Sequence, residues 1–337
     1  MLLFPQFQPG AFRPDFSVFW TGARLVEANA EQLYDAQAIT AAQSWLTSST
    51  NGLRPFAYPP SALLLFHPFG LMSFPVAFLV WTSLSIAAFA VAARNFATQT
   101  ALILAFTTPA IVLSVASGQT SLLIASAIMG AVTLLERKPI LAGILLGAAA
   151  SLKPQAVLLV PLALLIGQHW RAQFAFFITG IVCVSVAMLL WGVELWFDWY
   201  RAMSQFSSIV TGLGLNIDGI TFAMLAKAAG WPTWLALSIQ LAAIICGCVL
   251  VVWAFRRSDK LVRVVALASG SLLCSPYALI YDLSVLMPIA IGLLIAGRPT
   301  GIFAGLAITG LAGAFAVPAV IASSLTGRLS DRTSRVI

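Results

Sequence analysis

A chain of 337 residues in which 60% of the side chains are hydrophobic and only 9% are charged falls far from a soluble protein, whose residues are roughly a quarter charged. Its 18 basic and 11 acidic residues cannot clothe a water-facing body of 35.8 kDa, so the main solvent is lipid. That excludes a soluble enzyme, a nucleic-acid-binding protein and a disordered chain, and the net charge of +7 reports membrane orientation instead.

Residues 1–68 form the first expected unit, an external loop with an amphipathic helix. Arg13, Asp15, Arg24, Glu27, Glu31, Asp35 and Arg54 make it polar, and Met1–Pro14 lacks the basic start and apolar core of a signal peptide. Exporting so polar a segment needs a preceding apolar span, so a first transmembrane helix is expected upstream of Met1; an upstream reading frame with no apolar stretch would count against it.

A transmembrane bundle is expected over 69–322. The first crossing runs from Ser73 to Ala93. Ala101–Leu135 then makes a hairpin with Gly118-Gln119 at its outer tip, and Pro139–Gly167 makes two short helices broken at Lys153-Pro154, where the proline ring forbids a continuous helix. Ala172–Trp191 crosses outward, and an external loop follows over 193–232. Within it, Glu194–Arg201 mixes Trp, Phe and Tyr with charges and reads as an interfacial helix, while the run Gly219–Gly230 is too short to span. Thr233–Phe255 returns inward, Leu261–Ser275 runs outward, the chain turns at Pro276-Tyr277, and a last span is expected over Thr300–Ala322.

Orientation follows from Arg256, Arg257, Lys260 and Arg263, which belong in a cytoplasmic loop. Counting from there puts Arg94, Arg137, Lys138, Arg171 and Arg298 inside and gives about ten crossings. Glu194, Asp198, Asp218 and Asp282 join Asp15, Glu27, Glu31 and Asp35 outside, eight of the 11 acidic residues. The polar tail over 323–337, with Arg328, Arg332 and Arg335, breaks this bias. The fold class is therefore all-α, a multi-pass transmembrane helix bundle.

Unusual polar residues fall at the outer ends of the hairpins. Asp15 heads the run Phe16, Phe19, Trp20 and Ala23, whose spacing marks one helix face, so it reads either as an N-cap or as a carboxylate able to take a proton from a hydroxyl. Asp35 reads as a turn or cap, and Tyr58-Pro59-Pro60 as a stiff entry to the bundle. Lys153, at a broken helix tip beside backbone donors freed by Pro154, suits a phosphate, or else snorkels to the headgroups. Asp282 either caps the returning helix, positions a base or pairs with Lys153. Cys183, Cys246, Cys248 and Cys274 lie in apolar runs and act as packing residues, and His67 and His169 stand too isolated for a metal site.

Asp15-Phe16-Ser17-Val18-Phe19-Trp20, Leu33-Tyr34-Asp35, Tyr58-Pro59-Pro60, Gly118-Gln119-Thr120, Leu152-Lys153-Pro154-Gln155 and Ser275-Pro276-Tyr277 through Tyr281-Asp282-Leu283, in this order, resemble glycosyltransferase family 87. The resemblance implies an integral membrane enzyme of the GT-C type, in a group with polyprenyl-phosphate-mannose-dependent mannosyltransferases and related arabinofuranosyltransferases. It assigns Asp15 as catalytic base, and it suggests Lys153, Gln155, Gln119, Tyr58, Tyr281 and Asp282 for the donor phosphate or substrate. Its partners would be a polyprenyl-phosphate-linked sugar, a glycolipid or glycan acceptor and the bilayer. No nucleotide site, cofactor or metal is expected. The main rival is a secondary transporter, which typically has a repeated half and a midplane site, neither visible here; a membrane scaffold without chemistry leaves the external motifs unexplained.

Overall fold

The computed structural model describes residues 15–44, 46, 53–212, 219–256 and 259–296. Arg13 and the rest of 1–14, Asp218, Arg257, Arg298, the expected span Thr300–Ala322 and the tail arginines Arg328, Arg332 and Arg335 lie outside them. The described chain is helical. Helix α1 (Phe16–Asn29), α2 (Ala36–Ala42) and α3 (Leu63–Gly70) precede α4 (Phe74–Ala93). There follow α5 (Gln99–Ala105), α6 (Pro109–Ser117), α7 (Ser121–Leu134), α8 (Pro139–Leu152), α9 (Val160–Ile166) and α10 (Trp170–Trp191). The remainder is α11 (Glu194–Gly212), α12 (Phe222–Ala228), α13 (Thr233–Phe255), α14 (Lys260–Cys274) and α15 (Met287–Ile295). No strand occurs among the described residues; one isolated antiparallel bridge joins Gly219 to Leu279.

Local chemistry sets many of these starts. Pro109 and Pro139 begin α6 and α8, where the missing N–H costs nothing. Asp35, Thr98, Thr221 and Asp259 accept hydrogen bonds from the first-turn amides of α2, α5, α12 and α14. Asp35 is thus a cap.

Among the described residues, α4, α10 and α13 are long and apolar enough to cross a membrane, and α5 with α6, bent by 60°, would make a fourth span. The ten crossings expected from the sequence include shorter helices that fall below this length, and the run Thr300–Ala322, which lies outside the described residues. With 14 residues each, α7 and α8 extend about 21 Å at 1.5 Å per residue, short of a hydrocarbon core of roughly 30 Å.

The centre of the bundle is α14, buried without interruption from Val262 to Leu273 even though that stretch includes Arg263, Ser269 and Ser271. Parallel helices α8 and α10 touch backbone to backbone. A methyl group at Gly143 would lie 2.2 Å from the Ala172 carbonyl oxygen, and one at Gly147 2.7 Å from that of Phe176, so the pair uses small residues four apart to approach closely. The N-terminal segment is seated by aromatic packing. Phe19 stacks on Phe66 with centroids 4.5 Å apart, and Phe16, fully buried, lies 5.6 Å from Trp81.

These contacts sort the helix ends. One end of the bundle gathers Asp15, the turn at Gly118 and the break at Lys153. The opposite end brings Glu136, His169 and Arg263 together, with Arg263 donating to the Glu136 carboxylate at 2.9 Å. At the first end, Gly118 is left-handed (φ 68°), and Trp81 Nε1 donates to its carbonyl at 2.8 Å. A Cβ there would come within 2.7 Å of the Phe16 Cβ. Gly118→Ala should therefore destabilise the fold by more than the roughly 1–2 kcal/mol that a left-handed non-glycine costs, read as a lower melting temperature in detergent.

Candidate active site

Asp15 sits at the first turn of α1 in helical conformation (φ −60°, ψ −23°), and its side chain makes no cap hydrogen bond. The N-cap role is not the one it takes. Its carboxylate instead accepts a 2.6 Å hydrogen bond from Gln119 Nε2, 104 residues away. The Gln119 amide is oriented from its other side, because Tyr58 OH donates to Oε1 at 3.3 Å and the Thr120 backbone N–H at 3.2 Å. Tyr58 OH also meets Thr120 Oγ1 at 3.0 Å. Burial pushes the Tyr58 phenol above its ordinary pKa, which keeps it a proton donor to that amide.

Asp15 is half-buried, and the protein around it desolvates the carboxylate. Desolvation raises its pKa above the ordinary 3.8, against the opposing effects of the Gln119 hydrogen bond and the charges of Arg54 and Lys153. A carboxylate made more basic by its surroundings, still within reach of solvent, is suited to accept a proton.

The neighbouring tip carries the second half of the network. Lys153 is buried and pairs with Asp282, with both side chains under a tenth exposed. Asp282 also accepts from Ser121 Oγ at 3.1 Å and from the Leu279 backbone N–H at 3.1 Å. The Lys153 ammonium lies 5.4 Å from the centre of the Tyr281 ring. Asp282 thus both pairs with Lys153 and fixes its own turn, two of the roles open to it, and Lys153 does not snorkel. A cavity of about 20 Å³ borders Ser121 and Asp282, close to the room needed for one water.

Asp15, Gln119, Tyr58, Lys153, Tyr281 and Asp282 accordingly share one end of the bundle. Gln155 stands apart. It is half-buried on the turn Pro154–Val157 and makes no hydrogen bond to this cluster among the described residues. Thr120, the last residue of the Gly118-Gln119-Thr120 motif, joins through Tyr58, and Ser121 joins without having been singled out, although it directly follows that motif. Arg54 also joins, through a 3.3 Å hydrogen bond from Nη1 to Ser17 Oγ; only its charge marked it in the sequence.

Helix α11 flanks the site. Trp199 Nε1 donates to the Ala57 carbonyl at 3.4 Å, and Phe206 packs edge-on to Tyr277 with centroids 5.4 Å apart. Among the described residues no group of three or more His, Cys, Asp or Glu converges as a metal site.

The model of the family described as glycosyltransferase family 87 matches residues 56–276, about two thirds of the chain. The match contains Tyr58, Gln119, Lys153 and Gln155, and ends short of Asp15 on one side and Tyr281 and Asp282 on the other. No curated protein and no solved structure matches.

Proposed function

We propose, because the chain belongs to glycosyltransferase family 87, that this membrane enzyme moves a hexose, mannose in the first instance, from a polyprenyl-phosphate donor to an acceptor hydroxyl. The observation that carries this reading is the Asp15–Gln119 hydrogen bond. It joins a carboxylate of raised proton affinity to the helix-tip network that contains the Lys153–Asp282 pair.

Asp15 removes the proton of the acceptor hydroxyl. The oxygen attacks the anomeric carbon as the bond to the phosphate oxygen breaks on the opposite side, and the configuration inverts. Gln119, held by Tyr58 and Thr120, aims the Asp15 carboxylate. The GT-C architecture and the ten-crossing topology belong to the same reading. So does a site on the periplasmic face, because Arg137, Lys138, Arg171, Arg256, Lys260 and Arg263 fall at loops or helix ends away from Asp15, where the bias of basic residues toward the cytoplasm would put them.

A lipid-linked donor is supported by an apolar groove of about 330 Å³ between α8 and α10, lined by Ala150, Phe177, Gly180, Ile181 and Val184. Ala150 lies three residues, or about 4.5 Å of helix rise, before Lys153. A Cβ at Gly180 would meet nothing within 4 Å. Gly180→Leu should fill the groove without strain and raise KM for the lipid donor several-fold at unchanged melting temperature; an unchanged KM would remove the groove from the donor path.

The deciding assay offers labelled polyprenyl-phosphate mannose to the protein in proteoliposomes, beside polyprenyl-phosphate arabinofuranose and nucleotide-linked mannose. Transfer from the first, with release of polyprenyl phosphate, is the expected result. Transfer from the arabinofuranose donor alone would change the sugar, and transfer from the nucleotide sugar alone would overturn the donor class.

A further inference from the structure

The sequence offers Lys153 as the cation for a donor phosphate, yet its ammonium is committed to Asp282 in a pair buried on both sides. Such a pair is close to neutral as a whole, and a phosphate entering beside it meets little net charge. Near Asp15 the arrangement is different. Two cations act on its carboxylate, Arg54 more strongly than Lys153.

Three contacts among the described residues help to hold Arg54. Its backbone N–H donates to Thr40 Oγ1 at 2.8 Å, its carbonyl accepts from Gln43 Nε2 at 3.1 Å, and its guanidinium donates to Ser17 Oγ at 3.3 Å. Gln43 and Ser17 are fully buried, and Ser17 Oγ in turn donates to Gln43 Oε1 at 3.2 Å. The guanidinium is therefore anchored to the same first turn of α1 that carries Asp15, and the residue remains half-buried.

Resting on the reaction proposed above, we propose that Arg54 is the residue that contacts the donor's phosphate and neutralises it as it leaves. The electrostatic argument follows the electrons. When the acceptor oxygen bonds to the anomeric carbon, its proton goes to Asp15, and the electron pair of the breaking carbon–oxygen bond goes to the phosphate. Asp15 loses one negative charge while the phosphate gains one. Arg54 balances the carboxylate beforehand, and as that charge vanishes it is left to balance the phosphate. Lys153 remains tied to Asp282, which takes no part in the proton transfer. A planar guanidinium also suits phosphate oxygens better than an ammonium, because it presents parallel donors. Arg54 thus favours the transition state over the ground state, the condition for raising kcat.

The test uses the full chain in proteoliposomes and compares Arg54→Gln and Arg54→Lys with the parent. Two competitors are titrated against transfer from the lipid-phosphate sugar, polyprenyl monophosphate and the uncharged polyprenol. One charge-assisted contact contributes about 1.5–3 kcal/mol, so Arg54→Gln should weaken inhibition by the monophosphate roughly 10- to 100-fold. Polyprenol inhibition should stay unchanged. Kcat should fall with it, and Arg54→Lys should recover part of both losses.

Monophosphate inhibition at the parental level in Arg54→Gln would overturn the assignment, as would an equal loss of polyprenol inhibition, which would mark a merely structural role. A parent that transfers no sugar from any polyprenyl-phosphate donor would instead sink the proposed function. The two failures are thus distinguishable.

Discussion

Asp15→Asn is expected to lower sugar transfer by about 10²–10⁴-fold, the range a positioned general base supplies, while the protein stays folded. Asparagine keeps the shape, and its carbonyl oxygen can still accept from Gln119 Nε2, so the 2.6 Å contact survives in kind. Only the proton acceptor is lost. The sign of the stability change follows from the raised pKa. A carboxyl that binds its proton more readily when folded than when unfolded stabilises the fold less as pH rises from its unfolded value through its folded one. At neutral pH the ionised Asp15 therefore carries a desolvation penalty that asparagine does not. The variant should melt no lower than the parent, and higher if the penalty dominates. In the parent, kcat/KM should fall as pH drops through the pKa of Asp15, at a higher pH than an exposed aspartate would give. Transfer at the parental rate in Asp15→Asn would remove Asp15 from the chemistry.

The second large effect concerns the buried pair. Lys153→Met leaves the Asp282 carboxylate with Ser121 and the Leu279 amide but no cation, and Asp282→Asn leaves the ammonium without its counter-charge. Breaking one side of a buried ion pair costs about 3–5 kcal/mol. Each single variant should show that loss in its melting temperature and in detergent-resistant yield. The double variant Lys153→Met with Asp282→Leu should recover much of the stability, because an apolar pair of similar volume often replaces a buried ion pair at no net cost. If both singles melt like the parent, Lys153 and Asp282 are not paired as described. The double variant also separates architecture from catalysis. Restored stability with transfer still impaired would mean that the site needs the charges themselves.

Much of the organisation was readable from local features. Proline and glycine marked the turns at Gly118 and Lys153, and apolar runs located α4, α10, α13 and α14 to within a few residues. Such signals act through the immediate backbone, since a proline removes one hydrogen bond and an apolar run prefers lipid wherever it lies. The count of ten crossings needed more than this. Helix length decides which apolar runs reach across a membrane, and several runs break into pieces of 7 to 15 residues.

The site divides along the same line. That Asp15, Gln119, Tyr58, Lys153, Tyr281 and Asp282 belong to one end of the bundle followed from counting turns. Their roles did not follow. A capping aspartate and a hydrogen-bonded candidate base are the same letter before the same helix, and the choice depends on a glutamine 104 residues later. Lys153 reads equally as a cation for a phosphate or as a partner of Asp282, and only the contact between them, 129 residues apart, decides. Arg54 reads as an ordinary loop charge until Ser17 and α2 tie it to the turn that carries Asp15. The sequence by itself determined a lipid solvent, helical segments, their breaks and the chemical types at their tips, because each rests on neighbouring residues or composition. Which tip groups touch, which charges cancel and which carboxylate is left basic were decided only by the tertiary structure, because hydrogen bonds and desolvation act through space between residues far apart in the chain.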